Sequence, residues 1–224
     1  MRNARANSVS PDIPAAIALQ RQLAEQVKFC SLPRRLRIVA GVDVAYSHAA
    51  QRSFAVAVAY DIKQQKVLEV AQAQRQVEFP YVPGLLSFRE APVMIQAIEH
   101  LQHPPDLLLV DGQGIAHPRR CGIASHIGVT LDMPAIGCAK SRLVGKHEAV
   151  GEERGQWVDL VHHGQVIGRV VRTKRRVKPV YISVGHRADL DQAVALVLRL
   201  ATRYRLPDPV HEADRLAGLL KPKG

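Results

Sequence analysis

The sequence predicts an α/β protein of three layers, with a central mixed β-sheet flanked by helices. Two observations carry this prediction. Residues 37–77 hold three strand-like runs joined by short polar connections, the pattern of an antiparallel meander. After residue 92, helix-like and strand-like periodicities alternate, and the first strand of that half, Leu107-Leu108-Leu109-Val110, is apolar throughout, as a buried strand is.

The elements follow in order. Ile17, Leu19, Leu23, Val27 and Phe29 recur at helical spacing and predict a helix over 15–29. Strands are expected over 37–46, 53–61 and 66–77. The segment 79–84 reads as a loop, punctuated by Pro80, Pro83 and Gly84. Pro92 fits the first position of a helix whose stripe is Val93, Met94, Ala97, Ile98 and Leu101, which puts Glu90 in or just before its first turn. A strand over 106–111, a short helix over 122–131 and a strand over 134–139 come next. Residues 157–162 and 165–172 alternate around His163-Gly164 and predict a hairpin. A strand over 180–184 precedes a helix over 190–204, which opens on a capping box of Asp189 and Gln192. Pro207 and Pro209 then separate it from a last helix over 211–220. Residues 1–14 are polar, have no apolar h-region, and read as a disordered lead-in to one domain over 15–224.

Composition narrows the function classes. Lys and Arg number 31 against 20 Asp and Glu, a formal charge of +11 that favours a polyanionic partner, nucleic acid being the commonest soluble one. A solvated basic surface is the alternative. Cys30, Cys121 and Cys138 are odd in number and widely spaced, which provides neither a disulfide framework nor a zinc pattern and suits a reducing compartment. No run reaches the ~18 apolar residues of a membrane span. A cytoplasmic monomer without membrane attachment is expected.

The chemistry concentrates where the fourth strand ends, in Asp111-Gly112-Gln113-Gly114-Ile115-Ala116-His117-Pro118-Arg119-Arg120. Functional groups of open α/β sheets gather at such strand ends. Asp43 interrupts an apolar strand, and a carboxylate there is costly to bury unless it is paired, hydrogen-bonded or metal-bound. Asp43, Glu90 and Asp111 together suit Mg²⁺, which prefers oxygen ligands. Lys140, near Arg142 and Gly145, is placed to neutralise an attacked phosphate. Each has a plainer alternative: a solvent-facing Asp43, a loop-capping Asp111, a Glu90 paired with Arg89, a surface Lys140. Tyr81, stiffened between Pro80 and Pro83, can enter a base stack, or simply pack its loop. The basic run 172–178 suits a phosphate backbone or a solvated hairpin flank. His162-His163 reads as an exposed turn.

The segments Gly41-Val42-Asp43-Val44-Ala45-Tyr46, Tyr81 through Glu90, Val110 through His126 and Gly137 through Leu143 resemble the endonuclease V family, the deoxyinosine-directed nucleases, in order over about residues 15–220. The resemblance implies a ribonuclease-H-like fold. It implies Mg²⁺-dependent nicking, with Mn²⁺ able to substitute, one nucleotide 3′ of a deaminated purine and leaving 5′-phosphate ends. Asp43, Glu90 and Asp111 fall on the family's metal ligands, and Asp214 where it carries a fourth acidic or histidine residue, with His211 and Glu212 close by. Lys140 matches the active-site lysine. Pro80, Tyr81, Val82 and Pro83 match the wedge that parts the strand, and Gly84, Leu86, Gly112, His117, Ile123 and Leu143 the pocket for the flipped base. The implied partner is DNA carrying deoxyinosine. Inosine-containing RNA, a lesion-indifferent nuclease and a non-catalytic binder are the alternatives.

Overall fold

The computed structural model describes residues 12–221. Most of the expected lead-in, residues 1–11, lies outside the described residues. Helix α1 (Ile13–Glu25) starts where the Asp12 carboxylate accepts the Ala15 N–H, a helix cap, and it ends four residues short of Phe29, which instead bridges to Ala188.

Eight strands form one sheet in the order β3-β2-β1-β4-β5-β8-β7-β6. The strands β1 (Ile38–Ser47), β2 (Arg52–Asp61) and β3 (Lys66–Gln76) make the antiparallel meander. β4 (Leu107–Val110) lies parallel to β1, and β5 (Ala135–Ala139) parallel to β4. β6 (Trp157–His162), β7 (Gln165–Val171) and β8 (Val180–His186) extend the sheet antiparallel. The β6–β7 turn places His163 and Gly164 at φ 52° and 74°, the positive values of a tight hairpin turn. Helices α2 (Leu86–Glu99) and α3 (Ile123–Thr130) cover one face, while α4 (Leu190–Leu200) and α5 (Asp208–Leu220) cover the other. This mixed sheet between two helical layers is the ribonuclease-H-like fold.

Three further helices differ clearly from the expected bounds. α2 begins six residues before Pro92, so Pro92 lies inside it and Glu90 sits on its second turn rather than at its start. The turn closed by Leu85 N–H on Val82 O (2.9 Å) launches the helix, and Pro92 removes only one backbone donor from it. α4 stops at Leu200 because Asp208 accepts the Thr202 hydroxyl and the Arg203 N–H, closing a turn. The Asp189 carboxylate caps α4, but the Gln192 side chain accepts from Leu32 N–H instead of completing a capping box. α5 starts at Asp208 with Pro209 in its first turn, where proline is tolerated.

Strand parity decides what faces what. Ala40 and Val42 of β1 pack with Leu108 and Val110 of β4 under α2 and α3. The alternate residues Gly41, Asp43 and Ala45 therefore point to the α5 side. A side chain on Gly41 would meet the Pro209 carbonyl carbon and oxygen at 2.2 Å, so the missing Cβ lets α5 lie directly on β1. Replacing Gly41 with Ala forces two backbones apart and is expected to lower unfolding free energy by about 1–3 kcal/mol, the range for overpacking, as read from the urea midpoint.

Candidate active site

The register of the parallel strands builds the site. Val42 pairs with Val110, and Asp111 N–H donates to Val42 O (3.0 Å), so Asp43, midway along β1, and Asp111, just past the end of β4, sit side by side. Both have the parity of the α4–α5 face. Lys140 follows Cys138 and Ile136, which also pack on that face, and so emerges beside them from β5. α5, seated on Gly41, adds Asp214. Oxygens of Asp43, Asp111 and Asp214 lie within 4.8 Å of one another. Lys140 Nζ bridges two of them, 2.5 Å from Asp111 and 2.7 Å from Asp214. Arg205 donates to the Lys140 carbonyl at 2.8 Å and steadies that turn.

Glu90 comes from α2, on the opposite face of the sheet, and its carboxylate is not one of the three. It lines, with Asp43, Asp111 and Lys140, a cavity of about 450 Å³ that opens over the strand ends. Tyr81, Val82, Pro83, Gly84, Leu86, Gly112, His117, Ile123 and Leu143 line the same cavity, so the geometry gathers nearly every residue singled out from the sequence. Pro80 is exposed and does not line it; Asp214 stands behind the lining at the carboxylate cluster. Tyr81 is two-thirds exposed and packs against no core. Ser87, Gln113, Gly122, Ala139, Ser141 and Arg142 complete the walls. Gln113 is informative among these: its side-chain N–H donates to Ser141 O (2.8 Å), tying the loop after β4 to the turn after Lys140. Its place in Asp111-Gly112-Gln113 was visible, but not its partner.

The basic run 172–178 lies elsewhere and is largely occupied. Arg175 and Arg176 pair with Glu153 and Glu152 at 2.9 Å, and Arg172 donates to the carbonyls of Gly151 and Val150. These contacts bind loops together rather than presenting free cations.

Electrostatics follow from burial and crowding. Burial, reinforced by the Asp111 charge, pushes Asp43 up to about 8. Burial raises Glu90 to about 7 against the pull of Arg89. Burial raises Asp111 as well, despite its bond to Lys140. At Asp214, partial burial is outweighed by Lys140, and the carboxyl is lowered. Burial opposes the charge on Lys140, but its two carboxylate partners win and hold the ammonium protonated. The donor set is all carboxylate oxygen, without sulfur or imidazole in the cluster, which fits a hard divalent cation rather than zinc.

The sequence profile described as Endonuclease V matches residues 21–215. The chain belongs to the endonuclease V family. It is 48% identical to Endonuclease V of Roseiflexus castenholzii over 206 residues, 92% of each chain. It is similar to the crystal structure of Endonuclease V from Streptomyces avermitilis, at 40% identity and a TM-score of 0.89 over 98% of this chain and 97% of that one. It is also similar to Ciona intestinalis Endonuclease V in complex with a 24-mer DNA containing an inosine followed by a ribo-adenosine, at 26% identity and a TM-score of 0.82 over 93% and 97% of the two chains. Endonuclease V proteins are metal-dependent nucleases, and the carboxylate cluster is the part of this chain with the chemistry for a metal. Among the described residues no helix is long and apolar enough to cross a membrane.

The raised carboxyls have a thermodynamic consequence. Between pH 6.5 and 8 the folded, metal-free protein keeps a proton on Asp43 that the unfolded chain has lost, so stability falls as pH rises. His117 and His126, lowered to about 4 by burial, act in the opposite sense only below pH 6.5. Melts in chelator should show a loss of about 1–2 kcal/mol across pH 6.5–8. Asp43→Asn should reduce that loss to the smaller part due to Glu90 and melt higher than wild type at pH 8.

Proposed function

We propose that this protein is a repair endonuclease that binds deoxyinosine in DNA, draws the base into the cavity, and hydrolyses the phosphodiester bond one nucleotide to its 3′ side with Mg²⁺. The observation that carries this reading is the junction of two features. A cavity of about 450 Å³, largely apolar but with His117, Gln113 and Arg142 in its walls, reaches the carboxylate cluster through Asp43 and Asp111, with Glu90 beside them.

Asp43, Asp111 and Asp214 hold the cation, with Glu90 contributing from the other face of the sheet. When bound, the cation acidifies water and stabilises charge on the phosphate. Mn²⁺, another oxygen-seeking ion, serves in its place. Lys140, held protonated by its two carboxylate partners, presents a positive charge to the phosphate and favours the ionised forms of Asp111 and Asp214. The exposed Tyr81 ring, on a loop stiffened by Pro80 and Pro83, fills the gap left in the base stack. Gly84 and Gly112 bring main-chain groups close to the base edge. The exocyclic oxygen of hypoxanthine accepts where the amine of adenine donates, so a wall of backbone donors selects inosine. Neutral His117, held so by burial, borders the seat without adding charge.

The Ciona complex supports the substrate class, since its DNA carries inosine. The test is nicking of an end-labelled DNA oligonucleotide with one inosine, beside undamaged DNA and matched RNA, in Mg²⁺ and in chelator. A Mg²⁺-dependent cut confined to inosine DNA supports the reading; preference for RNA moves the substrate to inosine RNA, and binding without product makes the protein a binder. Asp111→Asn should lower the nicking rate by more than about 100-fold, since even outer partners of metal ligands are worth 10–100-fold. Tyr81→Ala should weaken binding of inosine DNA by about 1–3 kcal/mol, the worth of a stacked base, in a titration without metal.

A further inference from the structure

Helix α1 does not line the cavity, yet one of its side chains reaches both cavity walls. Its buried face reads Ala16, Gln20, Leu23, an apolar stripe with an amide in the middle. Gln20 is 1% exposed. A buried amide needs partners, and here three of its four positions are used. Its Nε2 donates to Gly84 O (3.0 Å) and to Cys121 O (2.7 Å), and its Oε1 accepts from Arg119 Nε (2.5 Å). Arg119 Nη2 donates in turn to Gly84 O at 2.6 Å. Gly84 closes the Tyr81 loop at φ +80°, and a Cβ there would lie 2.7 Å from the Arg119 guanidinium. Cys121 leads into Gly122 and Ile123 on the facing wall. The Arg119 main chain also donates to His117 Nδ1 (3.1 Å), fixing that ring.

We infer that Gln20 and Arg119 form a clamp that sets the spacing between the Tyr81 loop and the base seat, and that they are positioning residues for the choice of inosine over adenine. The inference rests on the function proposed above. Neither side chain lines the cavity, so neither recognises the base itself. Discrimination by backbone donors requires those donors to be held within about 0.5 Å of the productive geometry. The loop's other anchors lie at its C-terminal end, the buried Leu85 side chain and the bond from Leu85 N–H to Val82 O, while Tyr81 is exposed. A carbonyl that receives both a guanidinium and a buried amide is held on two axes, and that carbonyl belongs to the residue joining wedge to pocket.

The experiment pairs Gln20→Met, which keeps volume and removes the hydrogen bonds, with Arg119→Gln at a half-buried position that does not burden the core. Arg119→Lys, which retains one donor toward Gly84, is the conservative rescue. Two readouts are taken: amide exchange over residues 81–86 in the free protein, and the ratio of kcat/KM for inosine to adenine oligonucleotides, split into kcat and KM. The clamp predicts faster exchange in that loop and a fall of about tenfold or more in the ratio, carried by KM, with Arg119→Lys between wild type and Arg119→Gln. Wild-type exchange together with a wild-type ratio in Arg119→Gln overturns the clamp, as does an equal loss on inosine and adenine substrates. Faster exchange with a wild-type protein that shows no inosine preference overturns the functional reading, and leaves the residues as anchors of the loop without a role in selection.

Discussion

The mutual repulsion of three carboxylates within 4.8 Å is the constraint around which the rest of the structure is arranged. Like charges at that distance disfavour ionisation, and burial at strand ends adds to the penalty. The fold keeps them together by drawing each from a different element. β1 and β4 supply Asp43 and Asp111 through one parallel register. α5 supplies Asp214, and can approach only because Gly41 leaves room for the Pro209 backbone. Lys140, from the end of β5, spans Asp111 and Asp214 and is the positive charge in direct contact with the cluster. The whole arrangement is poised for a cation that relieves what the protein alone can only partly offset.

The site also straddles the sheet. The three clustered carboxylates and Lys140 belong to the α4–α5 face, Glu90 and the Tyr81 loop to the layer of α2 and α3, and the cavity spans both, lined by Asp43, Asp111 and Lys140 as well as by Glu90. The ends of β4 and β5 and the middle of β1 are the seam between them. On the proposed reading, base seat and carboxylates are neighbouring parts of one cavity, a short distance apart. A rigid parallel core fixes that distance, and the fixed distance is what would make a cut fall at a constant offset from a recognised base.

Local features of this plan were legible in the sequence. Asp43 breaks an apolar strand, Asp111 ends one, and Lys140 follows another; each of these is a statement about a few neighbours. The hairpin at His163-Gly164 was legible for the same reason. Pro92 reads locally as a helix start, which would set Glu90 at a first turn, but the proline lies inside a helix launched by the Pro83-Gly84 turn, so Glu90 falls on its second turn. The convergence of Asp214 depends on contact between Gly41 and Pro209, 168 residues apart in the chain, which no local pattern reports. Gln20 carries no local signal, because a polar residue on an amphipathic helix ordinarily faces water; only the fold turns it inward.

The most direct test of the account is to move one inosine stepwise along an otherwise constant DNA strand and map the Mg²⁺-dependent cut at single-nucleotide resolution. If the cavity and the carboxylates form one rigid site, the cut moves with the inosine and stays one nucleotide beyond it on the 3′ side at every position. Cuts that remain at fixed sequence positions while the inosine moves would contradict it, for they would separate the nuclease chemistry from the cavity beside it.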